Sequence, residues 1–367
     1  MKNIYIAVIA VFMVLLAGVD CFYFLSLPQN VPDIPAPTTV PPPTTITPSE
    51  QPSPTSTLPP MNWTYDIDFY DRTFAGYYEY GAIIAILLDK SLWLNNFSRT
   101  VTAPNVKQVE YGDIEVGVIF YIDENNNLYG LGDLTQGGTV KVTYDTPTLL
   151  LENAKYVRMG EGQVLALQND GTLWGWGDNR VGQLAREEEY IETPVKIMDG
   201  VRFISAGQYV SAALKEDGSL WVWGSNAIGA IGNGERGNGQ YPQLPGKSVL
   251  EPYNTLNDVV FMSVGGMGSY AITSDYALWA WGGDYGNLPI KIADNMQFIC
   301  NYGSVGYAVD LQGNLFMTSD LGAPFKKNVR SCFLCVSNLL LIEYSDGSLR
   351  SYNADSGEDT EVLTAVG

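Results

Sequence analysis

The pattern of apolar and polar positions divides the chain into three parts. Residues 4–27 form an apolar run in which Asp20 is the only charged residue, and residues 28–60 are dominated by Pro, Thr and Ser. From residue 61 to residue 367 the chain alternates between short runs rich in β-branched and aromatic residues and turns that contain Gly, Asp or Asn. Short runs bounded by turn residues are typical of strands, so the third part is predicted to be all-β.

A unit of two predicted strands around a tight turn recurs along this third part. Three copies align without gaps: in each, a Gly lies fourteen residues before the first Trp of a Leu-Trp-x-Trp-Gly ending, and these endings close at Gly177, Gly224 and Gly282. Pairs such as Asp170-Gly171 between the strands favour a hairpin, because Gly takes the positive-φ position at no steric cost. With four weaker copies, the anchor positions are Trp93, Tyr129, Trp174, Trp221, Trp279, Phe316 and Arg350.

Each unit is apolar on both faces and must therefore be buried on both. Along residues 220–223, for example, the two Trp side chains share one face and the aliphatic side chains share the other. A lone hairpin cannot bury both faces, whereas units stacked around an axis can. The sequence therefore predicts a seven-bladed β-propeller over residues 61–367. Segments near the two ends, residues 65–69 and 362–365, are predicted to complete one shared blade.

Two stretches that begin at the Trp-Gly endings resemble the RCC1 (regulator of chromosome condensation) repeat. Residues 176–184 read WGDNRVGQL and residues 223–229 read WGSNAIG. The resemblance implies a seven-bladed RCC1-like β-propeller over 61–367, similar to bacterial-type, membrane-anchored members of the family. It also suggests protein binding, since secreted bacterial propellers of this type bind proteins through loops on one face.

The composition of the chain argues against several functions for the predicted propeller. Asp and Glu outnumber Lys and Arg by 40 to 20, the formal net charge is −20, and the chain has no His. The missing His excludes Ser-His-Asp and Cys-His nucleophiles and His-ligated zinc. An acidic surface repels phosphate backbones, so no nucleic-acid partner is expected. The family includes an exchange factor for a nuclear GTPase, but its repeats often carry His three residues after the lead Gly. That position is held here by Gln163, Val210, Gly268 and Val305.

The N-terminal parts predict a membrane anchor and a stalk. At about 1.5 Å per residue, the run at 4–27 is long enough to cross a bilayer core of about 30 Å. Lys2 precedes this run, which places residues 1–3 in the cytoplasm and the propeller outside, as a single-pass protein of the cell membrane. A cleaved signal peptide is the alternative. Residues 28–60 are predicted to form a Pro/Thr-rich disordered stalk.

Several motifs favour structural over chemical roles. Residues 232–237 match G-x-G-x-x-G, but the residues that follow cannot start a helix, which predicts a surface loop. Residues 123–127 resemble a calcium loop, yet the repeat alignment places a hairpin turn there. Cys332 and Cys335 form a CxxC whose side chains point to opposite faces of a strand, and a bridge from Cys300 to the next blade stays an alternative to buried small residues. No catalytic, cofactor-binding or metal-binding residue is predicted.

Two long interruptions of the repeat are the candidate binding loops. Residues 185–193 and 225–258 combine acidic, aromatic and Arg residues with Gly and Asn, as interaction surfaces often do. We expect a membrane-anchored extracytoplasmic binding module that engages an extracellular or envelope protein. A glycan- or cell-wall-binding propeller is the second hypothesis, and an envelope carbohydrate-active enzyme the third. The candidate binding residues are Glu187, Glu188, Glu189, Tyr190, Arg236, Tyr241 and Tyr253.

Overall fold

The structure, a computed structural model, is all-β with a propeller-like arrangement of sheets. It describes residues 76–77, 83–86, 92–96, 99–103, 105–111, 118–136, 139–237, 248–265, 267–302, 305–336, 339–353 and 356–363. Over these residues the strands form seven antiparallel sheets, six with four strands and one with three. Each sheet takes its strands from one continuous stretch of the chain, paired in chain order.

The strand bounds follow the repeat. The first four sheets contain β1 (Gly76–Tyr77), β2 (Ile83–Ile86), β3 (Leu92–Asn96) and β4 (Arg99–Ala103); β5 (Val106–Tyr111), β6 (Ile119–Asp123), β7 (Leu128–Gln136) and β8 (Thr139–Leu151); β9 (Ala154–Met159), β10 (Gln163–Gln168), β11 (Leu173–Asp178) and β12 (Tyr190–Met198); β13 (Val201–Ala206), β14 (Val210–Lys215), β15 (Leu220–Ser225) and β16 (Ser248–Leu256). The last three contain β17 (Val259–Val264), β18 (Ser269–Thr273), β19 (Leu278–Trp281) and β20 (Ile290–Ala293); β21 (Met296–Tyr302), β22 (Val305–Asp310) and β23 (Leu315–Met317); β24 (Val329–Val336), β25 (Leu339–Tyr344), β26 (Leu349–Asn353) and β27 (Asp359–Leu363). A short 3₁₀ turn spans Gly283–Tyr285.

The first strand of each sheet is the inner strand, and the last is the outer edge. From the third sheet to the seventh, the first strand packs against the first two strands of the preceding sheet, and in the second sheet β5 packs against β2. The second strands are buried almost along their whole length, as in β10 and β14. Trp176, Trp223 and Trp281 on the third strands are fully buried and fill the space between sheets. The predicted burial of both blade faces is confirmed for these sheets.

Outer strands such as β8 and β16 have almost no buried positions, and this explains one wrong prediction. Tyr253 was expected in a loop spanning 225–258, but it lies on β16, where it pairs with Val222 of β15. The strand escaped notice because it is an edge with few buried positions and therefore shows no apolar alternation. It also contains Pro252, which an edge strand tolerates since that N–H needs no partner in the sheet.

The shared blade predicted from residues 65–69 and 362–365 stays a prediction, because only residues 362 and 363 of these segments are described. These two residues end β27 (Asp359–Leu363), which pairs with β26 in the seventh sheet. The two strands are close in sequence, so local antiparallel pairing closes with a short loop. Residues 65–69, the anchor at 4–27 and the stalk at 28–60 lie outside the described residues. Among the residues that the structure describes, none form a helix with the length and apolar character needed to span a bilayer.

Candidate functional site

The connections between strands separate into two ends, which we call the turn end and the loop end. Successive strands of a sheet run in opposite directions, so consecutive connections alternate between the two ends. The turn end holds the turns between second and third strands, together with the links from one sheet to the next. The loop end holds the connections between first and second strands and between third and fourth strands. The repeat builds these ends in different ways.

The turn end repeats one tight hairpin. In the third sheet the turn spans residues 168–172: the N–H of Gln168 donates to the Thr172 carbonyl at 2.9 Å, and the N–H of Gly171 donates to the Gln168 carbonyl at 3.1 Å. The carboxylate of Asp170 accepts from the Thr172 N–H at 2.9 Å, and Gly171 has a φ of 84°. This confirms the predicted hairpin. The equivalent positive-φ residues are Asn126, Gly218, Tyr276, Gly313 and Gly347.

Backbone hydrogen bonds tie each turn to the next sheet. The carbonyl of Gly171 accepts from the N–H of Val201, the first residue of the fourth sheet, at 2.9 Å. The link residue Gly200 in turn accepts from the N–H of Glu216 at 3.0 Å. The first of these bonds recurs at four other junctions, between the carbonyls of Asn126, Gly218, Tyr276 and Gly313 and the N–H groups of Ala154, Val259, Met296 and Val329. The turn end is therefore a repeated backbone scaffold.

At the loop end, a buried Asn organises the connection between β11 and β12. The amide of Asn179 donates to the carbonyls of Arg186 and Glu188 at 2.9 and 2.6 Å, and its Oδ1 accepts from the Leu184 N–H at 2.7 Å. Asp178 is fully buried beside it and binds the Arg180 guanidinium at 2.6 Å. The loop is thus folded by its own side chains.

Asn226 organises the connection between β15 and β16 in the same way. Its amide donates to Oδ1 of Asn233 at 3.0 Å and to the Glu235 carbonyl at 3.1 Å, while its Oδ1 accepts from the Ile231 N–H at 3.2 Å. The G-x-G-x-x-G match at 232–237 belongs to this loop, as predicted. Sequence inspection noted both Asn residues within the repeat motif but did not identify this role.

The bases of the two loops dock onto the next sheet. The Gln183 carbonyl accepts from Nε1 of Trp223 at 2.9 Å and from the Ser211 hydroxyl at 2.7 Å. In the next junction the Ala230 carbonyl accepts from Nε1 of Trp281 at 2.8 Å and from the Ser269 hydroxyl at 3.3 Å. Trp223 and Trp281 are thus buried anchors that also donate a hydrogen bond to the preceding loop.

The tips of these loops carry the exposed candidate residues. Glu187, Glu188 and Glu189 are exposed, and Arg236 is exposed while its guanidinium donates to the Gly283 carbonyl at 3.2 Å. Tyr190 is half-buried at the start of β12, and burial raises the pKa of its phenol well above the ordinary value.

The remaining two candidates lie apart from these tips. Tyr253 is 43% exposed but lies along the outer edge of the fourth sheet. Tyr241 lies outside the described residues.

Sequence reasoning missed an apolar pair at the loop end. Met267 and Leu288 are 47% and 53% exposed, on the two loop-end connections of the fifth sheet. The tip that carries Arg236 contacts the second of these connections, because the Gly234 N–H donates to the Asn287 carbonyl at 2.9 Å. The sequence does contain a signal for the Leu288 loop. This loop follows the third Trp-x-Trp-Gly ending, just as the two recognised loops follow the endings at Gly177 and Gly224.

The inner strands contain one carboxylate whose pKa is raised. Burial raises the pKa of Glu110, although the guanidinium of Arg158 at 3.3 Å and the N–H of Met159 at 3.0 Å oppose this effect. The arrangement holds two neighbouring sheets together. Over the described residues, no group of three His, Cys, Asp or Glu side chains is placed to hold a metal ion.

Comparison with known proteins relates the chain to one repeat family. Residues 170–214 and 201–229 match models of the regulator of chromosome condensation (RCC1) repeat, and this stretch contains the loop organised by Asn179 and the start of the loop organised by Asn226. No curated protein matches the chain by sequence.

Solved structures with a similar fold include Prp20p from Saccharomyces cerevisiae, described with its binding to Gsp1p and histones. It is 16% identical with a TM-score of 0.52, over 64% of this chain and 69% of Prp20p. Yeast RCC1 (Prp20) bound to Kap60 has the same identity and TM-score, over 64% of this chain and 67% of its own. Human WBSCR16 is 14% identical with a TM-score of 0.56, over 74% and 86% of the two chains. At these identities the likeness shows the fold alone.

Proposed function

We propose that this chain, an RCC1-like β-propeller that contains RCC1 repeats, is a membrane-anchored extracytoplasmic module that binds a protein partner through its loop end. Residues 4–27 would anchor it, residues 28–60 would form the stalk, and the seven sheets would close into a seven-bladed ring. The sheets support a ring because each packs on the next in chain order. The proposed role is binding without catalysis.

The difference between the two ends carries this proposal. At the turn end, short turns and links bond to each other and leave little irregular chain. At the loop end, two connections hold a rigid base against the next sheet and present exposed tips with Glu187–Glu189 and Arg236. Irregular loops positioned by a rigid scaffold are where binding residues concentrate. The binding of Prp20p to Gsp1p and histones, and of Kap60 to yeast RCC1, supports a protein partner for a propeller of this fold.

The glycan hypothesis receives less support. It calls for aromatic rings lying open at a loop face, yet the Trp residues of the third to fifth sheets are buried or half-buried. Trp223 and Trp281 donate their N–H groups to loop carbonyls, and Trp174 donates to the Gln168 side chain at 2.7 Å near the turn end. These rings stabilise blades and turns.

Site-specific crosslinking of the full chain in the producing cells tests the proposal. A photoreactive amino acid is placed at Glu188 or Arg236 of the loop end, and at Glu124 or Glu216 of the turn end as matched exposed positions. We expect one protein to crosslink from the loop-end positions and not from the turn-end positions. Equal crosslinking from both ends would contradict the proposal, and a polysaccharide adduct would place the glycan hypothesis first.

Charge reversal supplies the matched control. Glu187, Glu188 and Glu189 are replaced together by Lys, and in a second variant Glu124, Glu152 and Glu216 are replaced by Lys. Both sets consist of exposed side chains, and both change the net charge equally. Loss of partner binding is expected for the loop-end variant and retention for the turn-end variant. If binding is lost equally, net charge controls it and the loop end does not.

A further inference from the structure

The inner strands of neighbouring sheets are joined at a recurring position. The side chain of the fifth residue of one inner strand accepts a hydrogen bond from the backbone N–H of the sixth residue of the next inner strand. Three junctions show this bond, with distances of 3.0, 3.2 and 3.2 Å. The acceptors are Glu110, Ser205 and Ser263, and the donors are Met159, Val264 and Asn301.

The junction between the sixth and seventh sheets places Cys at this position. Cys300 is the fifth residue of β21, and its Sγ lies 3.3 Å from Sγ of Cys332, the fourth residue of β24. Both residues are buried, with 7% and 0% exposure. A thiol is a weak hydrogen-bond acceptor compared with a carboxylate or hydroxyl. This junction therefore replaces a polar contact with two facing sulfur atoms.

We propose that Cys300 and Cys332 form a disulfide that links the sixth and seventh sheets covalently. The oxidant is a disulfide donor of the class of oxidised glutathione or a dithiol oxidase. One Cys thiolate attacks a donor sulfur, giving a mixed disulfide and releasing one donor thiol; the second Cys thiolate attacks the bonded Cys sulfur and releases the other. Two cysteine thiols are oxidised, the donor is reduced to two thiols, and two protons pass from the cysteines to them.

The surroundings determine when the bond forms. Burial raises the pKa of the Cys332 thiol, so in the folded protein little thiolate is present and exchange is slow. The bond therefore forms while β21 and β24 are still accessible, and packing afterwards shields it from reductants. The link does not depend on which partner the loop end binds.

Peptide mapping of the full chain tests the proposal. The purified chain is equilibrated in detergent with oxidised and reduced glutathione at pH 8, with mild urea to speed local opening, and free thiols are then blocked with N-ethylmaleimide. Trypsin places Cys300 in the peptide 292–326 and both Cys332 and Cys335 in the peptide 331–350. We expect these two peptides to be joined in the nonreduced digest.

Two variants identify the bond. Cys332→Ser should abolish the joined peptide, whereas Cys335→Ser should keep it and leave no thiol for N-ethylmaleimide in either peptide. If wild-type Cys300 and Cys332 are both alkylated after equilibration, the proposal is wrong. A joined peptide that survives Cys332→Ser and disappears with Cys335→Ser would also overturn it. Restored alkylation after reduction confirms that the link is a disulfide.

Discussion

The turn end and the loop end connect the same strands, but different interactions hold their connections in place. At the turn end, order comes from the backbone: a positive-φ residue closes six of the described hairpins, and at five of them its carbonyl accepts from the first N–H of the next sheet. At the loop end, order comes from individual side chains, above all Asn179 and Asn226. The backbone hydrogen bond recurs whether Gly, Asn or Tyr holds the positive-φ position, whereas each loop depends on the side chain of one Asn. The loop end is therefore where the shape of a connection depends most on a single side chain.

The largest effect is expected from Asn179→Ala. The substitution leaves the carbonyls of Arg186 and Glu188 and the N–H of Leu184 without their partner in a closely packed loop. Unsatisfied buried groups cost about 1–3 kcal/mol each, and partial hydration reduces the sum, so we expect the free energy of unfolding to fall by about 3 kcal/mol. Chemical denaturation of the full chain in detergent measures it.

Asn226→Ala provides the matched comparison within the loop end. Its contacts are longer, at 3.0 to 3.2 Å, so the loss of stability should be smaller, about 2 kcal/mol. If both substitutions prove neutral, the loops do not owe their shape to these side chains, and the contrast with the turn end disappears.

At the turn end, Gly171→Ala should have an intermediate effect. An Ala at a φ of 84° is strained, and its Cβ would lie 3.1 Å from the carbonyl oxygen of Val201, the residue whose N–H donates to the Gly171 carbonyl. We expect a loss of about 1–2 kcal/mol, measured by thermal unfolding. Gly347→Ala is the control, because it has a φ of 82° but open space around the added carbon. Equal losses would show that backbone strain alone, and not the junction, sets the cost.

The smallest expected effect is a loss of fold stability at acid pH that originates in the turn end. Hydrogen bonds from Thr172, Ser219 and Ser348 lower the pKa of Asp170, Asp217 and Asp346 below the ordinary value of 3.8. A lowered pKa in the folded state stabilises the fold above the unfolded-state pKa, and this contribution is lost as the pH falls through the lower folded-state values.

Replacing the three Asp residues by Asn tests this dependence, since Asn keeps an acceptor oxygen but cannot titrate. Thermal unfolding of the wild type should weaken more steeply than that of the triple variant between about pH 4 and pH 2. Parallel curves would mean that the turn carboxylates make no contribution to acid stability.

Most of the fold could be predicted from the sequence where burial imposes a pattern. The paired strands, the Asp-Gly turns and the Trp anchors followed from the repeat, and the turn at Asn126 followed from alignment. The outer strands could not be found in this way. Strands such as β8 and β16 are largely exposed, so their side chains carry no alternation to recognise. Tyr253 was misplaced for this reason.

The candidate site was only partly accessible to sequence reasoning. Composition identified Glu187–Glu189 and Arg236, which lie on exposed tips. Asn179 and Asn226 were visible in the repeat motif, but their hydrogen bonds join positions up to nine residues apart, and nothing in the motif specifies these partners. Leu288 lies in the loop that follows the third Trp-x-Trp-Gly ending, whereas no motif marks Met267, and the fold brings their two loops to the same end of the fifth sheet.

Hydrogen exchange of the full chain, alone and with its crosslinked partner, tests the central claim most directly. The account predicts that partner binding slows amide exchange at the tips 186–189 and 234–237 and leaves the turns 169–172 and 216–219 unchanged. Slowed exchange at these turns with unchanged tips would show that the partner binds the repeated scaffold, and would contradict the assignment of binding to the loop end.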